Sequence, residues 1–270
     1  MRPFCVGKSS QASGPSHIGP VGIIGAGHLG RALAQLLLRH GLASVQLMVS
    51  HNGSAATAGS LRSMGLLHRS RGNEEIARDA NTIFLALPPR AAVDLGKLRP
   101  KANRTLSCMA GVSMSRLHAL LQCPVTRIMP SGPETIVHGC GVVATFPPDA
   151  YVTALLAGLG MRVFELAREE LLHWFTVGVS LPAALLAAPA GAAAEQAIAA
   201  IGEDVPFFAE LFAWARAVVP TSLCLSQRQQ YIEAMCTAGG VTEAIVAGLR
   251  SGNTLLDSLI LGCKGSQSLA

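Results

Sequence analysis

Three glycines, Gly25, Gly27 and Gly30, follow the apolar run Val21 to Ile24 and precede a stretch, Ala32 to His40, with the apolar spacing of a helix. This order predicts a buried strand, a tight turn and a helix. Each glycine has a separate physical task in such a turn. Gly25 lets the chain reverse sharply, Gly27 lets the backbone approach a diphosphate, and Gly30 lets the helix lie close on the strand. The helix start then presents free N–H groups to the phosphate charge. The chemistry this spacing suits is dinucleotide binding, with Gly25, Gly27, His28, Leu29 and Gly30 as the candidate cofactor contacts. His28, inside the turn, is placed to meet either phosphate or solvent.

The next strand, expected over Ser44 to Ser50, ends in Ser50-His51-Asn52, and no acidic residue follows until Glu74. A carboxylate at this position would hold a ribose 2′-hydroxyl and repel a 2′-phosphate. Serine, histidine and asparagine instead offer hydrogen bonds to a phosphate, so Ser50, His51 and Asn52 favour NADP(H), although no arginine adjoins Ser50. A third apolar run, Thr82 to Leu87, stops at Pro88-Pro89, and a fourth, Thr105 to Met109, stops at Ala110-Gly111. Ligands of open α/β sheets sit at the carboxyl ends of strands. Leu87, Pro88, Pro89, Ala110 and Gly111 therefore complete the candidate cofactor set.

These turns need a sheet to position them. Further strands are expected at Pro124 to Met129, Gly141 to Thr145 and Met161 to Glu165, with helical segments between them. Alternation of this kind points to a doubly wound α/β sheet. Beyond about Leu166 the sequence turns to alanine- and leucine-rich helices without Val/Ile-rich strands. The expected organisation is a flexible tail at 1–19, a Rossmann-type NADP-binding domain at 20–165 and an all-helical dimerisation and substrate domain at 166–270.

Half of the 270 residues are hydrophobic and 14% are charged, enough to build a core and too apolar for a disordered chain. The most apolar stretch, Ala183 to Gly202, is mostly alanine and is interrupted by Pro189 and Glu195, unlike a membrane span of about 20 strongly apolar residues. The net charge of +5 is spread thinly, and two tyrosines and two tryptophans are few for stacking on bases. Neither a membrane nor a nucleic acid is expected as a partner. The balance suits small anions. Seven cysteines without a CxxC pair read as reduced thiols of a cytoplasmic protein, and eight histidines without HExxH spacing give no metal site.

Taken in order, these landmarks resemble the pyrroline-5-carboxylate reductases. The likeness rests on the Gly25, Gly27 and Gly30 turn, Leu87-Pro88-Pro89-Arg90, and Ala110-Gly111-Val112. It continues through Arg127-Ile128-Met129-Pro130-Ser131-Gly132-Pro133, Val179-Ser180-Leu181-Pro182-Ala183, and Thr237-Ala238-Gly239-Gly240-Val241-Thr242. The chain departs from the family where Ser131 replaces an asparagine, where Pro88 and Arg90 replace the usual pair, and where Val179 and Leu181 replace glycines.

The resemblance implies NADPH-dependent reduction of a cyclic imino acid, 1-pyrroline-5-carboxylate to proline, by a homodimer or higher homo-oligomer. Thr237, Gly239, Gly240, Val241, Thr242 and Ser131 would contact substrate, with Thr242 the catalytic hydroxyl at the ring nitrogen. A glycine turn opening a helix suits a carboxylate, because exposed amides and the helix dipole both favour an anion. Competing readings are a related imine or ketimine reductase, a catalytically inactive NADPH-binding homologue, and a β-hydroxyacid dehydrogenase. The last needs a lysine base in the helical part, whereas the lysines are Lys8, Lys97, Lys101 and Lys264, none of them on the helices expected between 166 and 262.

Overall fold

The computed structural model describes residues 18–268 other than 52, 189, 190, 221 and 238. Most of the expected tail, and the candidate contact Asn52, lie outside the described residues.

Seven short strands form one sheet: β1 (Val21–Ile24), β2 (Leu47–Ser50), β3 (Thr82–Leu85), β4 (Arg104–Ser107), β5 (Val125–Pro130), β6 (Val142–Phe146) and β7 (Arg162–Glu165). The helices among them are α1 (His28–Arg39), α2 (Ala55–Ser63), α3 (Asn73–Asp79), α4 (Ala92–Leu95), α5 (Met114–Leu121), α6 (Pro133–Val137) and α7 (Ala150–Gly158). After the sheet come α8 (Leu171–Val179), α9 (Leu181–Ala187), α10 (Ala192–Gly202), α11 (Phe208–Val218), α12 (Leu225–Met235), α13 (Val241–Arg250) and α14 (Leu255–Ser268).

The spatial order is β2-β1-β3-β4-β5-β6-β7. From β2 through β5 every neighbour is parallel, and β1 and β3 are buried along their whole length, as strands covered by helices on both faces must be. Side-chain alternation divides the apolar residues between the faces. Ile23, Phe84, Leu106 and Val143 pack with Leu33 and Leu37 of α1 and Leu156 of α7. Ile24, Ile83 and Leu85 pack on the other face with Ile76, Leu95 and Leu117. A third core joins Met129, Val142, Ala144 and Phe164 at the far edge to Phe175, Phe208, Leu211, Ile245 and Leu259 of the helices.

The chain leaves β1 toward β2 and returns on its other side to β3, so the sheet reverses its winding between β1 and β3. Ligands of open sheets bind at such a point. At the opposite edge β6 runs antiparallel to β5, and β7 parallel to β6. Ser107 lies across from Arg127, Arg127 from Phe146, and Thr145 from Glu165. The reversal therefore delivers the end of β7, and the start of α8, level with the carboxyl end of β4.

One sequence expectation needs correction. The first half of the expected second strand, Ser44–Gln46, is a single 3-10 turn, because Val45 is 67% exposed and has no layer to bury it. The alanine-rich stretch is two helices, α9 and α10. Ala188, the residue before Pro189, is extended (φ −135°, ψ 134°), the conformation that a following proline imposes. No helix among the described residues is long and apolar enough to cross a membrane.

Candidate functional site

The first glycine turn is built as a cradle. Gly25 has φ +103°, and a Cβ there would approach the Ala86 carbonyl oxygen to 2.5 Å, so only glycine lets β1 turn against the end of β3. A Cβ on Gly30 would collide with the Gly25 carbonyl oxygen. Gly27 differs: it is the N-cap of α1, exposed, and a Cβ there meets nothing within 4 Å. No side chain caps α1. The amides of its first turn thus face the open space beside Gly27 with no intrahelical acceptor, as an anion seat requires. His28 is exposed on this rim, Leu29 is half-buried, and Arg31 donates to the Ala26 carbonyl at 3.0 Å.

Ser50 faces inward. It is 4% exposed and its Oγ accepts the Gly25 N–H at 3.2 Å, while its carbonyl accepts the Ala26 N–H at 2.7 Å. Its hydroxyl supports the turn, leaving the mouth of β2 to others. His51 is half-buried, and its Nδ1 accepts the Gly53 N–H at 3.0 Å. A basic segment, which local sequence did not place here, completes this mouth. Ser70 bridges to Val49, and the Arg71 N–H donates to the Val49 carbonyl at 2.9 Å. Arg71 pairs through Nε with Glu75 at 3.1 Å, and the buried Nε of Arg69 has no hydrogen-bond partner. The signal was the loose run Arg62, Arg69, Arg71, whose destination depended on a pairing over twenty residues away in sequence.

At the ends of β3 and β4, Leu87 and Pro89 are half-buried, Pro88 is exposed, Ala110 is half-buried, and Gly111 is buried with φ +74°. Beside Gly111 lies a cavity of about 190 Å³ lined by Gly111, Ser113, Arg127, Glu169, Glu170 and His173. Arg127 is 3% exposed and binds Glu169 Oε1 at 2.7 Å; the same oxygen accepts the Met114 N–H at 2.6 Å. Burial lowers the Arg127 pKa, and the Glu169 carboxylate opposes that shift. His173 Nδ1 lies 2.9 Å from Ser266 Oγ, and burial, then the Arg127 charge, lowers its pKa.

The second glycine turn precedes α13. Gly239 has φ +70°, and its N–H donates to Glu243 Oε2 at 2.7 Å. The Gly240 N–H donates to the Thr237 carbonyl at 2.7 Å, and a Cβ on Gly240 would press on that oxygen at 2.8 Å. Thr237 is exposed, whereas Val241 is buried in the helical core. Thr242 is half-buried with Oγ1 2.9 Å from Ser180 Oγ.

Ser131 again faces inward: 1% exposed, it accepts the Val142 N–H at 3.1 Å and bonds Thr135 Oγ1 at 2.7 Å, so its hydroxyl ties β5 to β6 rather than opening on a cleft. The adjoining Gly132 lies near Met235 at the end of α12, which brings this loop beside the segment leading to Thr237. Leu181 and Ala183, in the altered 179–183 segment, are fully buried.

A mostly parallel sheet with an open glycine cradle at its winding reversal, followed by a helical layer, has the layout of a dinucleotide-binding fold. The family described as NADP oxidoreductase, coenzyme F420-dependent, matches residues 20–111. Pyrroline-5-carboxylate reductase 2 of Homo sapiens is 31% identical over 136 residues, 46% of this chain and 42% of that protein; the Bos taurus protein is 32% identical over the same share. The chain thus covers less than half the length of these curated relatives.

In fold the likeness extends much further. The NADP-bound pyrroline carboxylate reductase of Plasmodium falciparum aligns with 92% of this chain and 97% of its own (TM-score 0.57, 17% identity). The Coxiella burnetii pyrroline-5-carboxylate reductase aligns with 94% and 99% (TM-score 0.58, 16% identity). The chain is similar to pyrroline-5-carboxylate reductases, in sequence over under half of its length and in fold over nearly all of it.

Proposed function

We propose that this chain uses NADPH to reduce the C=N bond of a cyclic imino acid, with 1-pyrroline-5-carboxylate as the substrate and proline as the product. The observation that carries the reading is the open space at Gly27, between an uncapped helix start and the β1/β3 reversal, in a chain of pyrroline-5-carboxylate reductase-like fold. NADPH, when bound, supplies a hydride to the imine carbon.

The residues divide the remaining work. Gly25, Gly27, His28, Leu29 and Gly30 form the diphosphate seat. His51, with Arg71 at the same strand end, receives the 2′-phosphate together with Asn52, and Ser50 braces the turn. Leu87, Pro88, Pro89, Ala110 and Gly111 border the nicotinamide end. The turn at Thr237, Gly239, Gly240 and Val241 holds the substrate carboxylate, and Thr242 meets the ring nitrogen, with Ser131 fixing the neighbouring loop. A cyclic imine is readily protonated, so the protein needs alignment and exclusion of water more than a general base. In this reading residues 20–165 bind the nucleotide, and 166–270 pair with a second copy in a homodimer. A reducing cytoplasm suits its buried thiols, Cys108 and Cys263.

Purified protein mixed with NADPH and pyrroline-5-carboxylate is expected to consume nicotinamide absorbance and yield proline. NADPH binding without turnover on any five- or six-membered cyclic imine would replace this reading with that of an inactive homologue. One observation favours a second substrate class. Glu243 already occupies the Gly239 N–H, which favours an imine lacking a carboxylate, such as 1-pyrroline, and the same assay distinguishes the two. A hydroxyacid dehydrogenase reading gains nothing from the structure: Lys264 lies on α14, past the end expected for the helices, but is exposed.

A further inference from the structure

Ser180 caps α8, is 3% exposed, and lies in the segment where the chain departs from the family pattern. Its Oγ donates to the Thr176 carbonyl at 3.0 Å and lies 2.9 Å from Thr242 Oγ1. A serine hydroxyl has one proton and two lone pairs. Since that proton is committed to Thr176, the short contact to Thr242 is filled by the threonine's proton, with Ser180 as acceptor. Thr242 then keeps only lone pairs for whatever sits above the second glycine turn.

We propose that Ser180 is a positioning residue that fixes the polarity of the Thr242 hydroxyl, making it an acceptor for the N–H of a protonated imine. This rests on the functional reading above. A protonated ring nitrogen has an N–H to donate, and an unprotonated one does not. The device therefore selects the iminium form, the one that accepts hydride most readily. Without Ser180 the Thr242 hydroxyl can rotate, and it can donate to a neutral imine as easily as accept from a charged one.

The test is a cycle of Ser180→Ala, Thr242→Val and the double variant, assayed with NADPH and pyrroline-5-carboxylate across pH, alongside Thr242→Ser. A lost hydrogen bond of ordinary strength corresponds to about a five- to tenfold effect. Ser180→Ala is expected to lower kcat by about that factor with KM for NADPH unchanged, and to flatten the alkaline fall of the rate. Thr242→Ser is expected to retain most turnover. In the double variant the loss should equal that of Thr242→Val alone, because Ser180 acts only through Thr242.

Additive losses, or normal turnover in Ser180→Ala beside a defective Thr242→Val, would overturn the positioning role and leave the functional reading standing. Full turnover in Thr242→Val, or none in the parent protein, would overturn that reading instead. The proton arrangement is then decided separately by NMR of threonine-labelled protein. A slowly exchanging Thr242 hydroxyl proton that is lost in Ser180→Ala supports the assignment, and equally fast exchange in both proteins rejects it.

Discussion

Gly30 sits so close beneath the carbonyl oxygen of Gly25 that no side-chain atom fits between them, while three residues before Gly30 the chain opens onto empty space at Gly27. Two substitutions of the same kind should therefore fail differently. Gly30→Ala forces apart the turn and the helix, an overpacking that costs about 1–3 kcal/mol, and its melting temperature should fall. Gly27→Ala has a backbone that alanine adopts freely (φ −66°, ψ −165°), so its melting temperature should match the parent. Its NADPH affinity, read by fluorescence titration, should drop by about tenfold or more as the added methyl enters the diphosphate seat. Undiminished affinity would refute the cradle.

Arg71 is moored at the mouth of β2 through its backbone and held by Glu75 on its side chain. If it meets a 2′-phosphate, Arg71→Ala should weaken NADPH binding on the order of tenfold, the worth of a charge-assisted hydrogen bond, and leave NADH binding unchanged. Parallel losses for both nucleotides would show that the residue only supports the loop.

The Arg127–Glu169 pair ties the sheet to the entry of α8. Removing Glu169 leaves a nearly inaccessible guanidinium and the Met114 N–H without their shared acceptor. Because Glu169 itself is partly exposed, Glu169→Ala should cost about 2–3 kcal/mol, below the figure for a fully buried pair, as measured by urea unfolding.

Burial and the Arg127 charge hold the His173 pKa below its ordinary value of 6.5. A group whose pKa is lower when folded takes up its proton more readily when unfolded. Its contribution to stability is present above about pH 6.5 and is lost as pH falls through the folded value. Melting temperature should decline on acidification in this range, and His173→Gln should remove that part of the slope.

The thiols divide by environment. Cys108 is buried and its pKa is pushed up to about 12, whereas exposed Cys224 is lowered by hydrogen bonds from Ser226 and the start of α12. Mild alkylation at pH 8 should label Cys224 first and leave Cys108 untouched in the folded protein, as mapped by mass spectrometry.

Much of this molecule was legible in its residues. The strand, turn and helix at Val21 to Arg39 could be read directly, because the apolar run, the glycine spacing and the helical period agree within a few residues. Side-chain facing was less legible. Ser50 and Ser131 carry hydroxyls that suit a ligand, yet both are spent on backbone amides of adjacent segments, which only strand register decides. The Val49–Ser70 bridge and the Ser180–Thr242 contact join residues 21 and 62 positions apart. No local period encodes such pairings; they follow from how the layers close. Val45 shows the converse, a good strand former left outside the sheet because no layer covers it.

The attachment of the 70–71 segment to β2 by one bridge and one amide, rather than by membership of a strand, has an evolutionary corollary. If Arg71 meets the 2′-phosphate as proposed, nucleotide preference and diphosphate binding reside on separately replaceable pieces of chain. Drift in the arginine-bearing loop would then retune coenzyme choice between lineages while the glycine scaffold stays untouched.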